Sequence, residues 1–246
     1  MKILVFALFV LIAAPLAGQE GKGVDLPGEA SRKTRKQHPA YAEVVDDSAL
    51  PRVLIIGDSI SIGYTAAARE ALAGITNVHR VKGNAGHTEM GLAGLSKWLS
   101  DEKGKWDLIH FNWGLWDLCY RNPESKTQGN RDKIAGTLTF SPEVYAANLE
   151  EIVKQLKQTG AVLVFATTTP VPEGEAGRKV GDDQIYNEAA LAVMKRNNVL
   201  IDDLNAVMAG KMKEYAKGPG DVHFTDVGYA LLGNAVAKAI ESALNR

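Results

Sequence analysis

The sequence predicts a single α/β domain of three layers over residues 51–246, with a parallel sheet between two sets of helices. Three observations predict it. Short β-branched runs of strand length recur along the chain, stretches with apolar residues at helical spacing lie between them, and no internal repeat or low-complexity tract interrupts the alternation. The chain of 246 residues is 46% hydrophobic, enough for a core, and its formal net charge of -1 gives no electrostatic ground for nucleic-acid binding. Cys119 is the only cysteine, so neither an internal disulfide nor a Cys-x-x-Cys zinc or redox pair can form.

Taken in order, residues 1–18 read as a secretory signal peptide: Lys2, an apolar run over 3–17, and the small residues Ala14, Ala17 and Gly18 near a cut. The run is shorter than the ~20 residues of a spanning helix. A mature chain with no membrane span, secreted or periplasmic, is expected. Residues 19–50 mix Gly, Pro and both signs of charge without an apolar period, which predicts a tether or a surface wrap.

Buried strands are predicted at 53–56, 78–81, 108–112, 161–166 and 199–202. A helical stretch covers 64–72. A second helix opens with Ser141 as N-cap and Pro142 at its first position, and stops at Gly160. A last helix follows Thr225 with Val227, Leu231, Leu232, Ala235, Val236, Ala239, Ile240 and Ala243 along an apolar face. The polar stretch 121–137, with Pro123, Gly129 and Gly136, reads as a long loop at the carboxyl edge of the sheet, placed to rim a site. Its bases Arg121, Lys126, Arg131 and Lys133 are either solvated or suited to an acidic glycan. Residues 167–170 end another strand and are expected along the same cleft.

In open parallel sheets, chemistry gathers past the carboxyl ends of the strands. Gly57-Asp58-Ser59-Ile60-Ser61 follows the first strand, and Ser59 is either an exposed nucleophile on a tight turn or a helix cap. It does not fit Gly-x-Ser-x-Gly. Gly220-Asp221-Val222-His223-Phe224-Thr225 precedes the last helix, where His223 is either a general base or an ordinary loop histidine. His38, His79 and His110 lack ligand spacing, and His87-Thr88-Glu89 lacks the Pro-Cys-x-x-Cys partner of a zinc deaminase. No metal is expected. The absence of a phosphate loop and a dinucleotide turn implies no nucleotide cofactor.

Over residues 52–245 the chain resembles the SGNH or GDSL hydrolases, serine esterases and lipases. The resemblance implies a flavodoxin-like three-layer fold and no cofactor. Gly57-Asp58-Ser59-Ile60 is similar to that family's first block, with Ser59 as nucleophile and its backbone amide in the oxyanion hole. Asn84-Ala85-Gly86-His87-Thr88 resembles the second, with Gly86 donating its N–H, and Asp221-Val222-His223 the last, with His223 as base. The third block, Gly-x-Asn-Asp, departs: Trp116 stands where the asparagine belongs, and Asn112 is either the displaced oxyanion donor or a structural amide. In the last block Gly220 occupies the aspartate's place, three residues before the histidine. Asp221, two before, either completes a triad or leaves a Ser-His dyad. Trp113 and Trp116, with Trp98 and Trp106 nearby, either stack on sugar rings or fill the core.

The implied chemistry is acyl transfer through an acyl-enzyme, with activity rising with pH as His223 becomes neutral. The expected substrate is a short acyl ester, such as acetyl on a small molecule or polysaccharide. A lipid or thioester hydrolase, or a carbohydrate-binding module that keeps the fold without turnover, is the alternative.

Overall fold

The computed structural model describes residues 38–100 and 104–246. The signal peptide and residues 19–37 of the tether lie outside the described residues. In chain order the elements are β1 (Arg52–Ile56), α1 (Ser59–Ala71), β2 (Asn77–Arg80), α2 (Thr88–Leu99), β3 (Leu108–Phe111), β4 (Tyr120–Arg121), β5 (Thr137–Leu138), α3 (Pro142–Lys157), β6 (Val162–Ala166), α4 (Asp182–Arg196), β7 (Leu200–Asp202), α5 (Leu204–Met208), α6 (Met212–Tyr215) and α7 (Asp226–Leu244). Five strands form one parallel sheet in the order β2-β1-β3-β6-β7. The register sets Val53 beside Val78 and Leu108, Leu108 beside Val162, and Val164 beside Leu200.

Every residue of β1 and β3 is buried, as a sheet covered on both faces requires. One helix layer pairs α1 with α7, and the other packs α3 between α2 and α4. Numbered within the sheet, the strand order is the flavodoxin-like 2-1-3-4-5, whose switch point lies between β1 and β3. The chain leaves β1 toward β2 on one side and returns to β3 on the other, opening a crevice at their carboxyl ends.

Helix ends follow local chemistry. The Asp58 carboxylate accepts from the Ile60 N–H at 2.9 Å and so caps α1, which begins at Ser59 rather than at Tyr64. Ser141 caps α3, and Tyr145, Leu149, Ile152, Val153 and Leu156 form its buried face. Thr225 caps α7, which buries Leu232, Val236, Ile240 and Ala243. Val227, expected on that face, is 66% exposed because it lies in the first turn, before the helix meets the sheet.

The stretch 121–137 is not a bare loop. β4 pairs antiparallel with β5, Arg121 bridges to Arg131, and a 3-10 turn spans Gln128–Asn130. Residues 38–50 form a strap with a 3-10 turn at Pro39–Tyr41. Asp46 pairs with Arg52 at 2.8 Å and His79 at 2.5 Å, while the Asn77 side chain donates to the Asp47 and Leu50 carbonyls and accepts from the Asp47 N–H. Thr167, Thr168 and Thr169 are buried and do not line the cleft; Asn187 holds both backbone groups of Thr168.

Candidate active site

Two helices packed side by side bring the site together. Ser59 opens α1 at the end of β1, and His223 lies just before α7. At their contact Gly233 is pressed against α1: a Cβ there would stand 2.6 Å from the Ala67 Cβ and 2.9 Å from the Tyr64 carbonyl oxygen. Only glycine allows this approach, which sets the distance between the two helix starts. Ser59 Oγ lies 2.9 Å from His223 Nε2.

Below the serine, the turn is held by Arg80, the last residue of β2 and 8% exposed. Its guanidinium donates to the carbonyls of Gly57, Asp58, Val81 and Gly83 and to Ser61 Oγ at 2.6–3.2 Å. The buried Asp58 carboxyl is pushed up by desolvation, against the opposing pull of the Ile60 N–H and of Arg178, His223 and Arg80.

Asp221 Oδ1 stands 2.7 Å from His223 Nδ1 and also accepts the His223 backbone N–H at 2.9 Å. A carboxylate can only accept, so Nδ1 carries the ring proton and Nε2 is left to take one from the serine. Burial pushes the Asp221 carboxyl up, but the His223 hydrogen bonds and charge outweigh it and hold the group below its ordinary value. Gly220 stands three residues before the histidine because the backbone needs it there. Its φ is +69°, and a Cβ would lie 2.6 Å from the Gly174 carbonyl oxygen.

The structure thus brings Ser59, His223 and Asp221 together on one cleft of about 430 Å³, whose lining also includes Asp58, Asn84, Leu115 and Trp116. Other expected residues are placed differently. Asn112 is 7% exposed, lies outside the cleft lining, and gives one of its two amide N–H groups to the Ala166 carbonyl at 2.8 Å, joining the ends of β3 and β6. The Gly86 N–H is held at 2.8 Å by the Asn84 side-chain oxygen. The Ser59 N–H, at the first position of α1, has no acceptor among the described residues. Trp113 is fully buried, donates to the Ala85 carbonyl at 3.2 Å and offers no face to a sugar, whereas Trp116 lines the cleft. Trp106 is 6% exposed beneath the Arg52 guanidinium.

Three groups at the site escaped the sequence reading. Asn84 opens the stretch that resembles the second block, where only Gly86 drew a role, yet its side chain reaches the cleft. Arg80 ends a short strand, Asn77-Val78-His79-Arg80, expected to be buried, and a base at a buried strand end is the one sequence signal for a clamp. Glu175, fully buried, accepts from Arg131 at 2.6 Å and from Arg178 at 2.9 Å, a pairing across 44 residues that no local pattern announces.

Comparison with known proteins adds to this geometry. The fold is shared with the lipase/acylhydrolase from Enterococcus faecalis, at 20% identity and a TM-score of 0.62 over 78% of this chain and 96% of that one. It is shared equally with an acetylxylan esterase from Geobacillus stearothermophilus, at 16% identity and a TM-score of 0.58 over 77% of this chain and 94% of that one. No curated protein matches the sequence. Residues 55–231, more than half of the chain and both halves of the Ser59–His223 pair, match the model of one family. The protein belongs to the GDSL-like lipase/acylhydrolase family.

Proposed function

We propose that this member of the acylhydrolase family is a serine esterase that removes short acyl groups, acetyl above all, from carbohydrate. The observation that carries the reading is the 2.9 Å approach of Ser59 Oγ to His223 Nε2, with Asp221 behind the ring at 2.7 Å. His223 takes the Ser59 proton as Oγ attacks the ester carbonyl, then returns it to the departing alcohol. Water, activated by the same imidazole, releases the acid from the acyl-enzyme. Asp221 holds the ring and offsets the imidazolium charge.

The developing oxyanion meets the Ser59 N–H and, in this reading, the Asn84 amide. Asn84 lines the cleft, its oxygen is fixed by the Gly86 N–H, and its Nδ2 has no acceptor among the described residues. The reading gives Asn84 the side-chain donor role because it lines the cleft, whereas Asn112 lies outside the lining with one N–H given to Ala166. Cleft polarity favours a short acyl group over a lipid chain: Leu115, Trp116 and Val222 are its only large apolar side chains. Two solved proteins of the same fold are described as acetylxylan esterases, which agrees with a carbohydrate ester. Removal of residues 1–18 on export, placing the enzyme in the periplasm or outside the cell, completes the proposal. Among the described residues no helix is long and apolar enough to cross a membrane.

The test is hydrolysis of p-nitrophenyl esters from acetyl to decanoyl by the wild type and Ser59→Ala, on exported material. Turnover is expected to be highest on acetyl and to collapse in the variant. A preference for long chains, or equal rates in both proteins, overturns the reading, and activity confined to the cytoplasm overturns export.

A further inference from the structure

Three arginines line one wall of the cleft: Arg121, Arg131 and Arg178. Arg178 is 5% exposed and is held by the Leu115 carbonyl at 2.6 Å and by Glu175 at 2.9 Å. Arg131 shares the same Glu175 oxygen and also donates to the Gln128 carbonyl. Arg121 donates to the Gly129 carbonyl and lies 4.8 Å over the Trp116 ring, with no carboxylate partner among the described residues.

One buried carboxylate therefore serves two guanidinium groups, and a third has none. The other carboxyls on the lining are committed elsewhere: Asp221 to His223, and Asp58 to the Ile60 N–H. Positive charge is left over at the Arg121 end. Unused N–H groups remain there too, since Nη2 of all three arginines and Nε of Arg121 have no acceptor among the described residues. Planar forks with spare donors, fixed by a buried acid and a tryptophan face, are the equipment for binding an oxyanion.

We propose that this wall is a subsite for an anionic group, a carboxylate or sulfate, on the sugar that bears the acyl ester or on its neighbour. The proposal rests on the esterase reading and narrows its substrate class to acidic glycans. The anion binds against Arg121 and Arg131 while the acyl carbonyl reaches Ser59, and Trp116 lies between as a wall for the sugar ring.

The test compares kcat/KM on acetylated oligogalacturonate, a sulfated acetylated oligosaccharide and neutral acetylated xylo-oligosaccharide of equal length. A charge-assisted contact predicts an advantage of about tenfold or more for one of the acidic substrates at low salt, falling as salt rises. The advantage is expected to shrink several-fold in Arg121→Gln and to persist in Lys126→Gln, which alters a charge of the same loop that is not on the cleft wall. Which acidic substrate gains identifies the anion. Equal or better use of the neutral substrate, or an advantage untouched by Arg121→Gln, overturns the subsite. Equilibrium binding of unacetylated oligogalacturonate and its sulfated counterpart to Ser59→Ala, with and without Arg121→Gln, separates the two readings. If no ester is turned over, salt-sensitive binding lost in the double variant keeps the subsite and sinks the esterase; absent binding sinks the subsite.

Discussion

At the scale of single residues, Ser59 and His223 are in contact, and the proposed function gives the side-chain oxyanion donor to Asn84. The loss of one oxyanion donor costs about 10²–10³ in turnover, so Asn84→Ala is expected to lower kcat on p-nitrophenyl acetate by about that factor. Asn112→Ala, whose amide ties β3 to β6, is expected to lower thermal stability and to touch kcat far less. The reverse ranking would return the role to Asn112. Ser59 and His223 were legible in the sequence because each sits at a strand-helix or loop-helix junction inside a recognisable block. Asn84 lay inside a recognisable block too, but its role was not legible, since only the folded chain shows that its side chain lines the cleft.

Asp117 adds a pH dependence of its own. Its carboxyl accepts from the Thr88 N–H at 2.9 Å and from Thr88 Oγ1 at 2.6 Å, yet burial outweighs both bonds and pushes it from 3.8 up to about 7. The native state therefore holds a proton that the unfolded chain has released, and stability falls as pH rises through that window. At about 1.36 kcal/mol per unit this amounts to as much as about 4 kcal/mol. Asp117→Asn keeps the shape and removes the ionisation, so the melting temperature of the wild type relative to the variant is expected to drop between about pH 4 and pH 7 and to level off above. Parallel curves would show that Asp117 does not titrate there.

At the scale of elements, helix α7 decides whether the site assembles. Gly233→Ala gains about 1 kcal/mol of helix propensity but forces a methyl to within 2.6 Å of Ala67, and overpacking of that kind costs about 1–3 kcal/mol. The clash is with backbone as well as side chain, so loss wins: lower stability, and lower kcat as α1 and α7 move apart. An unchanged kcat and melting temperature would show that the helix pair absorbs the methyl. The five sheet strands match the sequence reading to within a residue at each end, because strands buried on both faces read as unbroken apolar runs. α7 was legible from Thr225 and its periodicity. The β4–β5 ribbon was not, as strands of two residues carry no period.

At the scale of the whole molecule, the strap 38–50 is held mainly by polar contacts, with Ala40 its one buried apolar side chain. Asp46 joins it to Arg52 and His79, and Asn77 to its backbone. At about 1 kcal/mol for each hydrogen bond not regained from water, a chain beginning at residue 51 is expected to be less stable than one beginning at 38 by about 2–3 kcal/mol. Urea midpoints measure the difference, and equal midpoints would make the strap an ornament of the surface. The parallel sheet itself was legible from alternation alone. Of the arginine wall, Arg121 and Arg131 were legible as bases of a rimming loop, but Arg178 was not, because it joins them only once the chain folds. Folding also brings together Ser59 and His223, which lie 164 residues apart in sequence, one near the start of the domain and the other near its end. In the proposed mechanism, a growing or truncated chain that stops before residue 223 carries a serine without the base that takes its proton. On that mechanism ester turnover is a tally of nearly finished molecules, and a refolding reaction followed by it is expected to report the docking of α7 on α1.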